Sequence, residues 1–265
     1  MAKKQFILIM TDSQRRDMIS RCNERGENMH TPCLDRLCDE GLAFNSAYTT
    51  QPVCGPARAG LFTGTYPHTN GMLGNCMALS QQSLTIGQRL SRAGIHAAYI
   101  GKWHLDGGDY FGDGICPDGW DNEYWYDMRN YLDELESDKD RERSRKLETA
   151  LEGEGIGEEF TYGYRCTKRA LDFMEKYKDE DYFLVVSYDE PHHPFLAPKS
   201  YYEPFYKPYL QKANQHMDFS KLPDHIKVWH EKYLEIQGGN GDGCAVGLLG
   251  SNSFIDSQIG RVLEG

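Results

Sequence analysis

The chain has 265 residues, of which 39% are hydrophobic, so it can bury a substantial core as one large domain or as one domain with a small appendage. Its formal net charge of -11 argues against a general nucleic-acid surface, because phosphate backbones are met by net basic faces. Any anionic substrate must therefore be held by a local cluster of cations.

The first ten residues, MAKKQFILIM, contain an apolar run that is too short for a secretory signal and far too short to span a bilayer. We therefore expect a cytoplasmic chain with no membrane partner. The eight cysteines include no CxxC pair and no zinc-site spacing. Apart from Cys54, they are expected to be reduced and mostly packed thiols.

Strands alternate with helices along the chain, which predicts an α/β fold: a mostly parallel mixed sheet sandwiched by helices. The predicted strands are Gln5–Met10, 43–48, 95–102 and Tyr182–Ser187. The predicted helices are 31–40, which Thr31 caps, then 54–62, 84–93, 164–178 and 253–263. Charges crowd together over residues 134–146, a pattern typical of a solvated helix or a mobile loop. In such a sheet ligands collect beyond the C-terminal ends of the strands, so the polar residues there matter.

The segment Cys54-Gly55-Pro56-Ala57-Arg58 places a thiol and a guanidinium four residues apart, on one face of a predicted helix. Cys54 would lie at the N-terminus of this helix, where free N–H groups and the helix dipole favour anions. On the pentapeptide alone, a buried cysteine near an unrelated surface arginine explains the pattern equally well.

Polar side chains also follow three of the predicted strands. Asp12 follows the first strand, where a carboxylate suits a hard divalent cation or caps a helix. Lys102 and His104 follow another strand, and residues two apart in an extended segment point the same way. They can converge on one anionic group, unless both simply lie on the surface. The last of these strands leads into Pro191-His192-His193-Pro194-Phe195.

Several motifs together resemble the sulfatase family. CGPAR is followed by AGLFTGTYPHTNGM and preceded by TPCLDRLCDEGLAFNSAYTTQPV, and GKWHL and a Pro-His-x-Pro-Phe pattern occur further along. The resemblance runs from Phe6 to about Leu263. It implies an alkaline-phosphatase-like fold and the hydrolysis of sulfuric esters. It also implies that a maturation enzyme oxidises Cys54 to formylglycine, whose hydrate supplies the nucleophilic oxygen and which Arg58 steadies.

The same resemblance implies roles for the other site residues. Asp12 and position 54 would bind a divalent metal, expected to be calcium. Lys102 and His104 would hold the sulfate, while His192 would also bind substrate and protonate the leaving alkoxide. The substrate would be a small-molecule or carbohydrate sulfate ester, with sugar, aryl and alkyl sulfates all open. The aromatic run over residues 120–126 could stack on a ring, although packing is the more common role.

The chain also departs from the family pattern. Many relatives have a second aspartate where this chain has Ser13, so Ser13 as a metal ligand stays an open question. In the family, an Asp-His-Gly or Asp-Asn-Gly motif and a C-terminal subdomain follow a helix like SFIDSQIGRVL, whereas Gly241-Asp242-Gly243 precedes it. We expect residues 1–265 to form a sulfatase catalytic domain that is incomplete at its C-terminus and needs a missing half or an oligomer. Two alternatives remain: a phosphate or phosphonate monoester hydrolase of the same superfamily, and an inactive chain that only binds a partner.

Overall fold

The computed structural model describes residues 3–107, 110–146, 156–205, 219–236 and 244–265. Three parallel strands form one sheet: β1 (Gln5–Met10), β2 (His96–Gly101) and β3 (Tyr182–Ser187). The order is β1-β3-β2, with β3 in the middle. All three strands therefore end at the same edge of the sheet.

Helices surround the sheet. They are α1 (Pro32–Glu40), α2 (Cys54–Thr63), α3 (Pro67–Asn70), α4 (Ile86–Arg92), α5 (Met128–Glu134), α6 (Asp138–Arg143), α7 (Tyr162–Lys176), α8 (Asp224–Ile236) and α9 (Cys244–Glu264). Within the described ranges, none of them combines the length and apolar character that crossing a bilayer would need. None of the eight cysteines, all of which lie in the described ranges, forms a disulfide.

Each face of the sheet is covered by different helices. On one face, Leu184 and Val186 of β3 share an apolar cluster with Phe173 of α7 and Ile255 of α9. On the other face, alternate strand residues pack with Phe62 of α2 and with the tryptophans of the 120–126 run. The predicted helix-covered parallel sheet is confirmed. The aromatic run is core packing, since Trp120, Tyr124, Trp125 and Tyr126 are buried.

The strand expected at 43–48 is wrong. The segment is irregular and solvent-exposed, with Phe44 77% and Tyr48 93% accessible. Its sequence, AFNSAY, suggests a strand, but no described strand lies beside it to supply hydrogen bonds. An unpaired segment does not form a β-ladder. Residues 134–146 include the solvated helix α6, where Arg141 pairs with Asp138.

Two helix predictions are also refined. The helix expected over 253–263 begins earlier, at Cys244, and Gly250 lets it pass against the Tyr202 ring, which lies 2.1 Å from where a Cβ would be. The α1 helix begins where predicted, but Thr31 does not cap it. The N–H groups of Cys33 and Leu34 instead donate to the carboxylate of Asp256, at 3.1 and 2.8 Å. The Gly241-Asp242-Gly243 segment lies outside the described residues.

Candidate active site

The polar residues that follow the three strands meet at one edge of the sheet. The Lys102 ammonium lies 2.9 Å from Asp12 Oδ2 and 3.0 Å from Asp189 Oδ1, and the lysine is only 1% exposed. The ends of β1, β2 and β3 are thus joined by one buried cation between two carboxylates. Lys102 was expected to give the site a positive lining, but in this arrangement two carboxylates balance its charge.

The backbone at Gly101 makes this junction possible. Gly101 has φ +119°, and a Cβ there would lie 1.9 Å from the Ser187 carbonyl oxygen. The next residue, Lys102, donates its N–H to that oxygen at 2.8 Å. Only glycine allows the end of β2 to approach β3 so closely and to direct Lys102 inward.

Arg58 is the second buried cation of the site. Its guanidinium donates to the Lys102 carbonyl and to Ser187 Oγ, both at 2.7 Å, and to Asp12 Oδ2 at 3.3 Å. Arg58 is buried, so the alternative of an unrelated surface arginine is wrong. Because α2 carries both Arg58 and Cys54, these bonds fix the start of the helix against the strand ends.

Asp12 is held as a carboxylate. Burial acts to raise its pKa, but the charges of Lys102 and Arg58 outweigh burial and hold the pKa well below its usual range. Its second oxygen, Oδ1, lies 3.2 Å from Ser13 Oγ and 3.7 Å from Cys54 Sγ. The carboxylate contacts side chains of the site, which does not support the alternative of a helix cap.

Cys54 is the first residue of α2, as predicted, and is half-buried. Burial and then the negative charge of Asp12 raise the pKa of its thiol, against the opposing effects of Lys102 and Arg58. The position at a helix N-terminus therefore does not produce a thiolate here. The Gly55 N–H donates to Asn75 Oδ1 at 2.9 Å, which ties the first turn of the helix to the following loop.

His104 lies beside Lys102 but contributes no charge. It is buried, has φ +59°, and neither ring nitrogen has a hydrogen-bond partner among the described residues. Burial, followed by the charges of Lys102 and Arg58, lowers the pKa of His104 to about 4. At neutral pH it is an uncharged imidazole with free hydrogen-bonding capacity.

His192 completes the cluster from the loop after β3. Its Nδ1 lies 2.8 Å from the His193 carbonyl oxygen and 3.1 Å from the Tyr110 hydroxyl. Asp12, Cys54 and His192 each offer a donor atom, and these atoms all lie within 4.8 Å of one another. The structure therefore brings together all the predicted site residues around one point at the sheet edge.

Two residues of this cluster were not predicted. Asp189 pairs with Lys102, and the Tyr110 hydroxyl donates to the same carboxylate. Asp189 follows the end of β3 at the same place as Asp12 follows β1, so its position alone could have indicated it. Tyr110 lies in an irregular segment and has no such signal.

Comparison with known proteins identifies the family of the chain. A family model described as Sulfatase matches residues 4–264. The chain is 42% identical to "Uncharacterized sulfatase YidJ" of Escherichia coli over 273 residues, which cover all of this chain and 54% of that protein. The chain thus spans about half the length of this relative.

Two solved structures share the fold. A phosphonate monoester hydrolase of Agrobacterium radiobacter has a TM-score of 0.72 at 19% identity, covering 99% of this chain and 59% of that one. A protein solved with its substrate D-glucosamine-2-N,6-O-disulfate has a TM-score of 0.62 at 18% identity, covering 99% and 62%. These likenesses confirm the alkaline-phosphatase-like α/β architecture. Because the family model matches nearly the whole chain, the protein belongs to the sulfatase family.

Proposed function

We propose that this chain carries the core of a sulfatase active site, which hydrolyses a sulfate monoester to an alcohol and inorganic sulfate. The observation that supports this most is the convergence of Asp12, Cys54 and His192 within 4.8 Å, beside the buried cations Lys102 and Arg58. A carboxylate, a modifiable cysteine, an imidazole and two fixed positive charges are the groups that transfer of a sulfuryl group to an enzyme nucleophile requires.

The nucleophile in this proposal is formylglycine at position 54. The thiol itself is poorly suited, because burial and Asp12 raise its pKa and the reactive form of a cysteine is the thiolate. A hydrated aldehyde at this position would supply an oxygen nucleophile instead. A formylglycine-generating maturation enzyme is then a required partner.

The donors at the site fit a divalent cation in part. Asp12 Oδ1 faces position 54, which would offer a second oxygen after modification, whereas Asp12 Oδ2 is engaged by Lys102 and Arg58. Calcium takes about six to eight oxygen ligands, more than these residues provide. We propose that Asp12 and position 54 hold the metal, with further ligands from water or from protein outside the described residues. A bound cation would polarise the ester oxygens.

The remaining residues bind the ester and move the proton. Lys102 places a fixed ammonium beside the site, although Asp12 and Asp189 balance its charge. The one N–H of neutral His104 is unpaired among the described residues and can donate a hydrogen bond to a sulfate oxygen. In this proposal His192 acts as an imidazolium. Its Nδ1–H donates to the His193 carbonyl, and its Nε2 carries the second proton. That proton can pass to the leaving alkoxide.

Mass spectrometry of the peptide containing Cys54 tests the modification directly. In a host that has the maturation enzyme, we expect formylglycine at Cys54. In the protein completed by its missing half, a Cys54→Ser variant should release no sulfate, and the control Cys76→Ser, which alters an exposed thiol, should release it normally. Finding only thiol or ordinary thiol adducts at Cys54 in such a host would contradict the proposal.

A second candidate is hydrolysis of phosphate or phosphonate monoesters. The single carboxylate at Asp12-Ser13 is compatible with it, and the phosphonate monoester hydrolase noted above shares the fold. The kcat/KM values of the metal-loaded protein for phenyl sulfate and for a phenyl phosphonate monoester decide between the two. A clear preference for the phosphonate would replace the sulfatase proposal.

A further inference from the structure

A cavity of about 200 Å³ lies next to His192, between the loop that follows β3, the helix α5 and the residues just after α6. His192 and Tyr110 belong both to the wall of this cavity and to the active-site cluster. The cavity therefore adjoins the place where His192 would protonate a leaving alcohol. None of the sulfate-binding residues Lys102, His104 or Arg58 lines it.

The walls of the cavity are mostly aromatic and apolar. Tyr110 packs edge-on against Phe111, with ring centroids 5.2 Å apart, and lies 5.0 Å from the His192 ring. Tyr131 and Leu132 of α5 form the buried side. An apolar cavity of about 150 Å³ is known to hold a benzene ring, so this space admits a single six-membered ring.

One unusual cation lies at the edge of the cavity. The Arg145 guanidinium sits 4.3 Å over the Phe111 ring and has no carboxylate or hydrogen-bond acceptor in the part of the chain that the structure describes. Its neighbours in sequence are paired, since Arg143 pairs with Asp140 and Lys146 with Glu142. No carboxylate is among the described residues that line the cavity.

We propose that this cavity is the subsite for the alcohol portion of the substrate and takes an aromatic ring that bears a second anionic group. The ring would lie between Phe111, Tyr131 and His192, and its anionic group would pair with Arg145. The substrate class is then an aryl sulfate with an additional carboxylate or sulfate. This inference rests on the proposed function, because it takes His192 as the acid at the ester oxygen.

Binding of the alcohol product tests the subsite without any turnover. The probes are 4-hydroxybenzoate and the uncharged 4-methylphenol, titrated against the protein by NMR. We expect 4-hydroxybenzoate to bind about fivefold more tightly, the effect of one partly exposed ion pair. Arg145→Ala should remove this preference, while the matched control Lys146→Ala, which deletes a neighbouring charge outside the cavity wall, should keep it.

Several outcomes would overturn the inference. Equal binding of the two probes to the unaltered protein would show that Arg145 does not bind the anionic group. A preference for 4-hydroxybenzoate that survives Arg145→Ala would show the same. A third probe is methyl glucuronide, a non-aromatic ring with a carboxylate. If it binds more tightly than 4-hydroxybenzoate, the site does not select aryl rings. Because product binding requires neither formylglycine nor metal, failure of the sulfatase proposal would appear only in the sulfate-release assay.

Discussion

Replacing Glu190 with glutamine should make the free energy of unfolding much less dependent on pH between 6.5 and 8. Glu190 is 4% exposed, next to Asp189, and its Oε1 accepts the Gly163 N–H at 2.9 Å. Its Oε2 is buried without a hydrogen-bond partner among the described residues. Burial, followed by the charge of Asp189, raises the pKa of Glu190 from 4.5 to about 8.

The sign and size follow from this pKa. Between pH 4.5 and 8 the folded chain keeps a proton that the unfolded chain releases, so the stability from this group is complete below 4.5 and is lost as the pH rises to 8. Each pH unit in that window costs about 1.4 kcal/mol, and the full rise corresponds to about 5 kcal/mol. Glu190→Gln mimics the neutral acid and removes this loss.

Urea unfolding followed by tryptophan fluorescence at pH 6.5, 7, 7.5 and 8 measures the effect. The lowered pKa of His104 makes stability fall with acid, mainly between 6.5 and about 4, so this window largely excludes it. The unfolding free energy of the unaltered protein should fall across the window, and that of Glu190→Gln should fall much less. An exposed control, Glu159→Gln, should keep the original slope. Equal slopes for the unaltered protein and Glu190→Gln would refute the reasoning.

Four further predictions concern the active site. Lys102→Met should destabilise the fold by about 3–5 kcal/mol in urea unfolding, because it removes the cation between two buried carboxylates and leaves only Arg58 beside Asp12. A loss under about 1 kcal/mol would contradict this. His192→Ala, at the half-buried rim, should cost about 1 kcal/mol or less in stability but about 100-fold or more in kcat, and unchanged turnover would remove it from the site. Gly101→Ala should abolish soluble expression, because its Cβ would collide with Ser187; a folded, active variant would disprove the requirement for glycine. Calcium should bind the chain weakly by calorimetry and lose even that affinity in Asp12→Asn, whereas tight stoichiometric binding would show a complete site.

The sequence predicted best the features that depend on a short stretch of residues. The apolar run Gln5–Met10 must be a buried strand, and the residues that follow such strands must meet if the strands are parallel. Those two rules, with the family motifs, located Asp12, Lys102 and His192.

What the sequence could not supply depended on contacts between distant segments. Whether residues 43–48 form a strand depends on a neighbouring strand, which no local pattern reports. The cap of α1 comes from Asp256, more than two hundred residues away. Likewise, the effect of burial and of paired charges on Cys54 and His104 opposes what the helix dipole and the residue types suggest, and only the folded geometry shows which effect is larger.

Because β3 is the middle strand, the sheet cannot assemble early during synthesis on the ribosome. Gln5 lies opposite Tyr182, and His96 also pairs with Tyr182, so neither β1 nor β2 has its neighbour until residues Tyr182–Ser187 have been synthesised. Adding the 133 residues that separate Cys54 from Ser187 takes roughly 7 to 27 s at about 5–20 residues per second. Throughout that interval the segment around Cys54 has no sheet to pack against, and its thiol is open to any enzyme that meets the nascent chain.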